Sequence, residues 1–281
     1  MNIEEQYLNL VKKILTEGEL KHNRTGIDTL AIAGTMLEHD MSEGFPLLTT
    51  KKMGIKNVTA ELEFFIKGLK DKKWLEDRKC YIWSEWCSPK KIPYANDEIT
   101  KRNMAEENDL GDIYGVIWRG KSEYQHVDQL KNIVETLKEN PNDRRMICSA
   151  WSPMDLPSQA LPPCHILWQV TAINGKLNLA WFQRSCDVML GIPYNITSYA
   201  LLLKLLAKES GLNEGKLIGF LMDTHIYINH KEGALEQLNR KPFPPPVLNI
   251  TNFKSIFDWQ YTDIELLNYQ NHPSIKFEVA V

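Results

Sequence analysis

The segment Leu161-Pro162-Pro163-Cys164-His165 sets a thiol directly after two prolines, whose rings restrict the backbone just ahead of it. A nucleophilic cysteine must be held still and must be ionised when it attacks. A buried structural cysteine would read the same way, because free Cys is among the most buried residue types. Gln183-Arg184-Ser185-Cys186-Asp187 adds a guanidinium fork beside a hydroxyl, donors that together can grip a phosphate. Arg184 could also lower the pKa of a nearby thiol, or simply pair with Asp187 at the surface. Asp143-Arg144-Arg145 supplies two more cations entering an expected strand. Neighbours on a strand face opposite ways, so at most one of Arg144 and Arg145 can serve the same site from the same chain. A solvated charge run is the alternative.

Asn195, in Gly191-Ile192-Pro193-Tyr194-Asn195, stands where a helix N-cap would stand. Its carboxamide also donates and accepts at once, which suits the O4 and N3–H edge of a uracil. In Asp223-Thr224-His225-Ile226-Tyr227, His225 and Tyr227 share one face of an extended stretch. They could bond one sugar hydroxyl together, or pack as an aromatic pair. Each feature is weak singly. Together they match the parts of a pyrimidine mononucleotide: a thiol for the ring, cations for the phosphate, an amide for the base edge and a His/Tyr pair for the sugar.

Several elements must position these residues. Apolar spacing predicts a helix over 4–16 and another over 58–66, the latter carrying Glu61 and Glu63. Val127, Leu130, Ile133, Val134 and Leu137 recur at helical spacing ahead of Pro141. Strand-like runs cover 30–36, 145–151, 165–172, 177–182 and 217–222, and an apolar helix covers 194–208. The stretch 84–108 is charged and broken by Pro89 and Pro93, which predicts an irregular insertion or small lobe. Pro244-Pro245-Pro246 forbids helix and predicts a turn into a late edge strand. No regular βαβ alternation occurs. The expectation is one α+β (α/β) domain over 1–281, with a large twisted, mostly mixed sheet flanked by helices.

The bulk composition agrees. A chain of 281 residues with 43% hydrophobic residues can bury a sizeable core. A formal charge of −3 gives no reason to expect a nucleic acid or a membrane as partner. The longest apolar run, around Leu201 to Ala207, is interrupted by Lys204 and is too short to span a bilayer. The acidic N-terminus is unlike a signal peptide. Five cysteines with no C-x-x-C pair predict reduced thiols in a cytoplasmic setting, with neither a disulfide framework nor a metal site.

Taken in order, the motifs resemble the thymidylate synthase family along nearly the whole chain. The resemblance rests on Arg24-Thr25-Gly26, Phe45 to Lys52, Ile82-Trp83, Tyr114-Gly115, Asp143-Arg144-Arg145, Pro163-Cys164-His165 and Gln183 to Asp187. It continues through Asn195 with Ser198-Tyr199-Ala200, then Asp223 to Tyr227 and the tail Phe277 to Val281. It implies a homodimer with sheets packed back to back, dUMP as substrate and 5,10-methylenetetrahydrofolate as co-substrate, without a metal. By position, it implies that Cys164 attacks C6 of the uracil. Arg24, Arg184 and Ser185 would hold the phosphate, with Arg144 and Arg145 reaching across from the partner subunit. Asn195 would read the uracil edge and His225 with Tyr227 the sugar, with Gln183 also among the substrate-binding residues. Glu61 would relay protons near O4, and Tyr114 would assist proton removal at C5. Asp187, Ile82, Trp83, Leu190, Gly191 and Tyr194 would line the folate pocket. Lys51 would meet the folate tail and Val281 would close over the ligands.

Five positions depart from the family pattern: Asp112, Ile117, Tyr194, Leu221 and Met222. They bear on the last step, in which hydride gives dTMP and water would give 5-hydroxymethyl-dUMP. Trp83, Trp86 and the tail favour a dry site and hence reduction. A SAM-dependent C5 methyltransferase would need a glycine-rich loop after a strand, and none is present. A non-catalytic nucleotide-binding relative would not need the full set of reactive residues.

Overall fold

A computed structural model describes residues 2–279. Helix α1 (Ile3–Glu17) begins with a capping box in which Asn2 accepts from the Glu5 N–H and the Glu5 side chain returns to Asn2. Its apolar face, from Tyr7 to Ile14, is buried. Next come strands β1 (Glu19–Lys21) and β2 (Thr29–Asp40), then helix α2 (Ile55–Ile66) and the single turn α3 (Lys73–Glu76). Helices α4 (Glu98–Glu106), α5 (Tyr114–Trp118) and α6 (Gln129–Glu139) follow. Strands β3 (Ile147–Ser149), β4 (His165–Ile173) and β5 (Lys176–Asp187) lead into helix α7 (Gly191–Ser210) and strand β6 (Asn213–Tyr227). Helix α8 (Lys231–Leu238) and strands β7 (Val247–Ile250) and β8 (Ile264–Leu267) complete the described chain.

The large sheet has six strands in the order β1-β2-β6-β5-β4-β3. Only β5 and β6 are parallel; the other pairings are antiparallel. A parallel pair needs a crossover, and α7 supplies it, packing on both strands and against α2. That dual role explains why α7 is apolar almost all round, with Ile196, Leu202 and Leu206 fully buried. The opposite face of the sheet carries Met36, Phe220 and Met222 at 53%, 44% and 48% exposure. In β6 the alternation is plain: Leu217, Gly219 and Leu221 point inward while Phe220 and Met222 point out.

The mixed sheet and flanking helices match the expectation from sequence, and four details differ. The run 145–151 yields only three paired residues, because the Arg145 N–H bonds the Asp143 carboxylate at 2.7 Å and the Trp151 N–H bonds the Ser149 hydroxyl at 3.1 Å. Arg144 and Arg145 therefore precede the strand, and the opposite-face argument does not apply to them. The strand after the prolines exists, but it pairs with β8 in a separate two-stranded sheet. The segment 84–108 contains the helix α4, capped by Asp97 through the Thr100 N–H at 2.9 Å. Helix α7 starts at Gly191, ahead of the expected start, since Pro193 is tolerated in a first turn.

Candidate active site

Cys164 stands immediately before β4. Its backbone is clamped from two sides: its N–H donates to the Tyr114 hydroxyl at 2.9 Å, and its carbonyl accepts from the Arg184 N–H at 2.8 Å. The Arg184 side chain fixes the two prolines as well, donating from Nε to the Pro163 carbonyl and from Nη2 to the Pro162 carbonyl, each at 2.9 Å. Arg184 has five N–H donors, so others stay free for a ligand. Burial pushes the Cys164 thiol up; Arg184 and Arg24 pull it back down and Asp187 opposes them.

Tyr114 opens α5, which lies so close to α2 that a Cβ on Gly115 would sit 2.2 Å from the Phe65 carbonyl oxygen. The Tyr114 ring stacks on His165, centroids 4.2 Å apart. His165 is bonded through Nδ1 to the Tyr199 hydroxyl at 2.7 Å, and burial lowers its pKa to about 3, so the imidazole is neutral. Glu61, on α2, accepts from the Trp83 indole N–H at 2.7 Å. Burial raises its carboxyl to about 7 despite that bond. The titratable groups around it, Cys80, Tyr114, Tyr194 and Tyr199, are all pushed up by burial and stay neutral while Glu61 ionises.

Asn195 lies in the second turn of α7 and is not its N-cap. Its Oδ1 accepts from Gln183 Nε2 at 3.0 Å, which fixes the orientation of the amide. Gln183 is itself pinned by the Trp181 indole at 3.2 Å and the Ser185 carbonyl at 3.0 Å. Asp187 accepts from the Met189 and Leu190 N–H groups at 3.0 and 3.1 Å, shaping the turn into α7. The parallel register sets Ser185 beside Asp223 and Asp187 beside His225, and the His225 and Tyr227 rings lie 5.4 Å apart. Arg24 is exposed on a turn organised by Asn23, which accepts from the Thr25 N–H at 2.9 Å and donates to the Ile27 carbonyl at 2.8 Å.

These side chains open onto one cavity of about 550 Å³. Arg24, Arg184, Ser185, His225 and Tyr227 supply its polar walls, and Cys164, Glu61, Tyr114, Gln183, Asn195 and Asp187 also reach it. Ile82, Trp83, Leu190, Gly191 and Tyr194 form a more apolar side. Among the described residues no group of His, Cys, Asp and Glu side chains is arranged to hold a metal ion. No helix among them is long and apolar enough to cross a membrane.

The thymidylate synthase family model matches residues 5–281 of this sequence. The chain belongs to the thymidylate synthase family. It is also 44% identical, over 288 aligned positions, to a bifunctional dihydrofolate reductase-thymidylate synthase of Paramecium tetraurelia. That match covers 99% of this chain and 61% of the relative's length.

Within this thymidylate synthase family member, three expected site residues are not on the cavity wall. Arg144 and Arg145 lie outside it, and Arg145 is ion-paired with Asp143 at 2.5 Å. Lys51 is buried: its ammonium donates to the Met189 carbonyl and sits 4.9 Å from the Phe277 ring centre. Burial lowers its pKa to about 8. Val281 lies outside the described residues. Of the departures from the family pattern, only Tyr194 lines the cavity. Ile117 and Leu221 are core residues, Asp112 is buried, and Met222 points to the open face of the sheet.

The cavity also contains residues that sequence reasoning gave no role. His165 was within reach, since it stands beside Cys164. Lys21 and Asp223 were not: they form an ion pair of 2.5 Å at the cavity across 202 positions of sequence, and no local pattern links them.

Proposed function

We propose that this protein methylates dUMP at C5 to give dTMP, with 5,10-methylenetetrahydrofolate as co-substrate. The observation that carries the reading is the opening of the clamped Cys164 onto the same cavity as Arg24, Arg184, Asn195 and the His225–Tyr227 pair. Uracil C5 is too weak a nucleophile to take up a one-carbon unit unaided. Addition of the Cys164 thiolate to C6 forms a C–S bond and moves the ring's electron pair through C5 toward O4. Glu61, with its carboxyl raised to about 7, is placed to give a proton to that charge. Asn195, oriented by Gln183, reads O4 and N3–H. Arg24, Arg184 and Ser185 hold the phosphate, and His225 with Tyr227 the sugar. Tyr114, beside Cys164, assists loss of the C5 proton. The folate, when bound, supplies the carbon and then the hydride, and release of Cys164 from C6 restores the thiol.

The apolar side formed by Ile82, Trp83, Leu190, Gly191 and Tyr194 suits the flat pterin of the folate and keeps water from the last step. Ile117 and Asp112 are buried, Met222 points outward and none of the three lines the cavity, so they lend no support to the hydration alternative. The active form is a back-to-back homodimer. Met36, Phe220 and Met222 give its interface an apolar face, and Arg144 and Arg145 complete the partner's phosphate site. Five unpaired thiols fit a reducing, cytoplasmic setting. The test is the mass of the nucleotide formed from dUMP and methylenetetrahydrofolate, with dihydrofolate followed by absorbance. A dTMP mass with dihydrofolate formed is expected. A hydroxymethyl-dUMP mass without dihydrofolate would overturn the reductive step, and no product would overturn the enzyme reading.

A further inference from the structure

Lys72 has no part in the chemistry described so far, yet its side chain is fully buried. An ammonium taken out of water must have its donors satisfied. This one has no carboxylate bonded to it among the described residues. Its Nζ donates instead to three backbone carbonyls: Ser84 at 2.7 Å, Trp86 at 2.9 Å and Met104 at 2.9 Å. Three N–H groups meeting three carbonyls use the ammonium completely. Met104 lies in the last turn of α4, where carbonyls lack helical partners and a cation is favoured.

The other two carbonyls belong to the turn that carries the cavity's indoles. Within it the Ser84 N–H bonds the Tyr81 carbonyl at 3.2 Å, and the Trp86 N–H bonds the Trp83 carbonyl at 3.0 Å. Trp83 and Trp86 both line the cavity, and the Trp83 indole donates to Glu61. A rigid connection therefore runs from Lys72 through the Ser84 and Trp86 carbonyls to Trp83 and on to Glu61.

We infer that Lys72 is a positioning residue that fixes the folate-facing wall of the cavity and, through Trp83, the ionisation of Glu61. The folate part rests on the function proposed above; the Glu61 part does not. Losing the Trp83 bond removes an interaction that favours the carboxylate, so the Glu61 midpoint must rise.

Glu61 ionisation is followed by difference infrared spectroscopy on the full chain without ligands, with Glu61→Gln as the subtraction. In Lys72→Met the midpoint is expected to climb from about 7 to about 8 or above. The same substitution made in a Trp83→Phe background is expected to move it no further. With substrates, KM for methylenetetrahydrofolate should rise about tenfold while Kd for dUMP stays within about twofold. Lys72→Gln, which keeps two donors, carries the comparison if the Met variant does not fold. An unchanged midpoint, or an equal rise in the Trp83→Phe background, overturns the inference. So does collapse of both variants, because Lys72 would then be needed by the fold as a whole. The infrared titration needs no turnover, so failure of this inference and failure of the proposed reaction are read separately.

Discussion

Glu61 and Cys164 ask opposite things of pH. Burial holds Glu61 protonated up to about 7, whereas it keeps the Cys164 thiol from ionising until higher pH. The proposed reaction needs one protonated and the other ionised, so kcat/KM is expected to follow the product of the two fractions. Below about 7, each unit of pH raises the thiolate about tenfold while Glu61 keeps its proton. Above about 7, loss of that proton cancels the gain, and the profile levels off. Glu61→Gln should cost roughly 10²- to 10⁴-fold in rate. Its profile should also keep climbing through neutral pH, because the cancelling ionisation is gone. The check is kcat/KM from pH 5 to 9, corrected for the phosphate ionisation of dUMP. A levelling at the same pH in the Gln variant would assign that break to another group.

At the scale of elements, the site depends on how closely α5 lies against α2. Gly115 allows the contact, since an added Cβ would meet the Phe65 carbonyl oxygen and Cα at 2.2 and 2.4 Å. Gly115→Ala must push α5 away and carry Tyr114 off the Cys164 N–H. The expected cost is about 3 kcal/mol of stability or more, read by thermal or denaturant unfolding. Activity should fall beyond what the remaining folded fraction explains. Full activity per folded molecule would show that Tyr114 tolerates the shift. This element was not legible in the sequence: five residues are too few to display a helical period. Helices α1, α2, α6 and α7 were legible because each repeats its apolar face over several turns. Arg144 and Arg145 were misplaced for a local reason, a side chain bonding its own neighbourhood in place of the ladder. Lys72 could not be found at all, since nothing in its neighbours distinguishes a buried lysine from the exposed ones around it.

For the whole molecule, the decisive matter is whether one chain suffices. Most of the cavity's own residues were legible as an ordered set of motifs, but their meeting point was not, because it is made by strand register between distant segments. The open face bearing Met36, Phe220 and Met222 is expected to close in a dimer. Phe220→Asp should yield monomers by light scattering and lose activity with them. Mixing Cys164→Ser chains with Arg144→Ala/Arg145→Ala chains gives a sharper test. Neither alone should turn over. With random exchange, half the dimers are mixed and each holds one complete site, so about a quarter of wild-type activity should return. No recovery after demonstrated exchange would place both arginines outside the partner's site.

The connection between strands has a consequence for how the protein is made. Strands β4 and β5 are joined by a tight turn at Asn174-Gly175, both with positive φ, so this hairpin is expected to close locally and early. The Arg184–Cys164 backbone bond forms with it. Strand β6 follows the 20 residues of α7, and it brings His225 and Tyr227. A newly made chain is therefore expected to pass through an interval in which Cys164 is already held but the nucleotide pocket proposed above cannot shelter it. During that interval the thiol is open to oxidants and alkylating agents, and dUMP should protect it during storage of the finished enzyme but not during refolding.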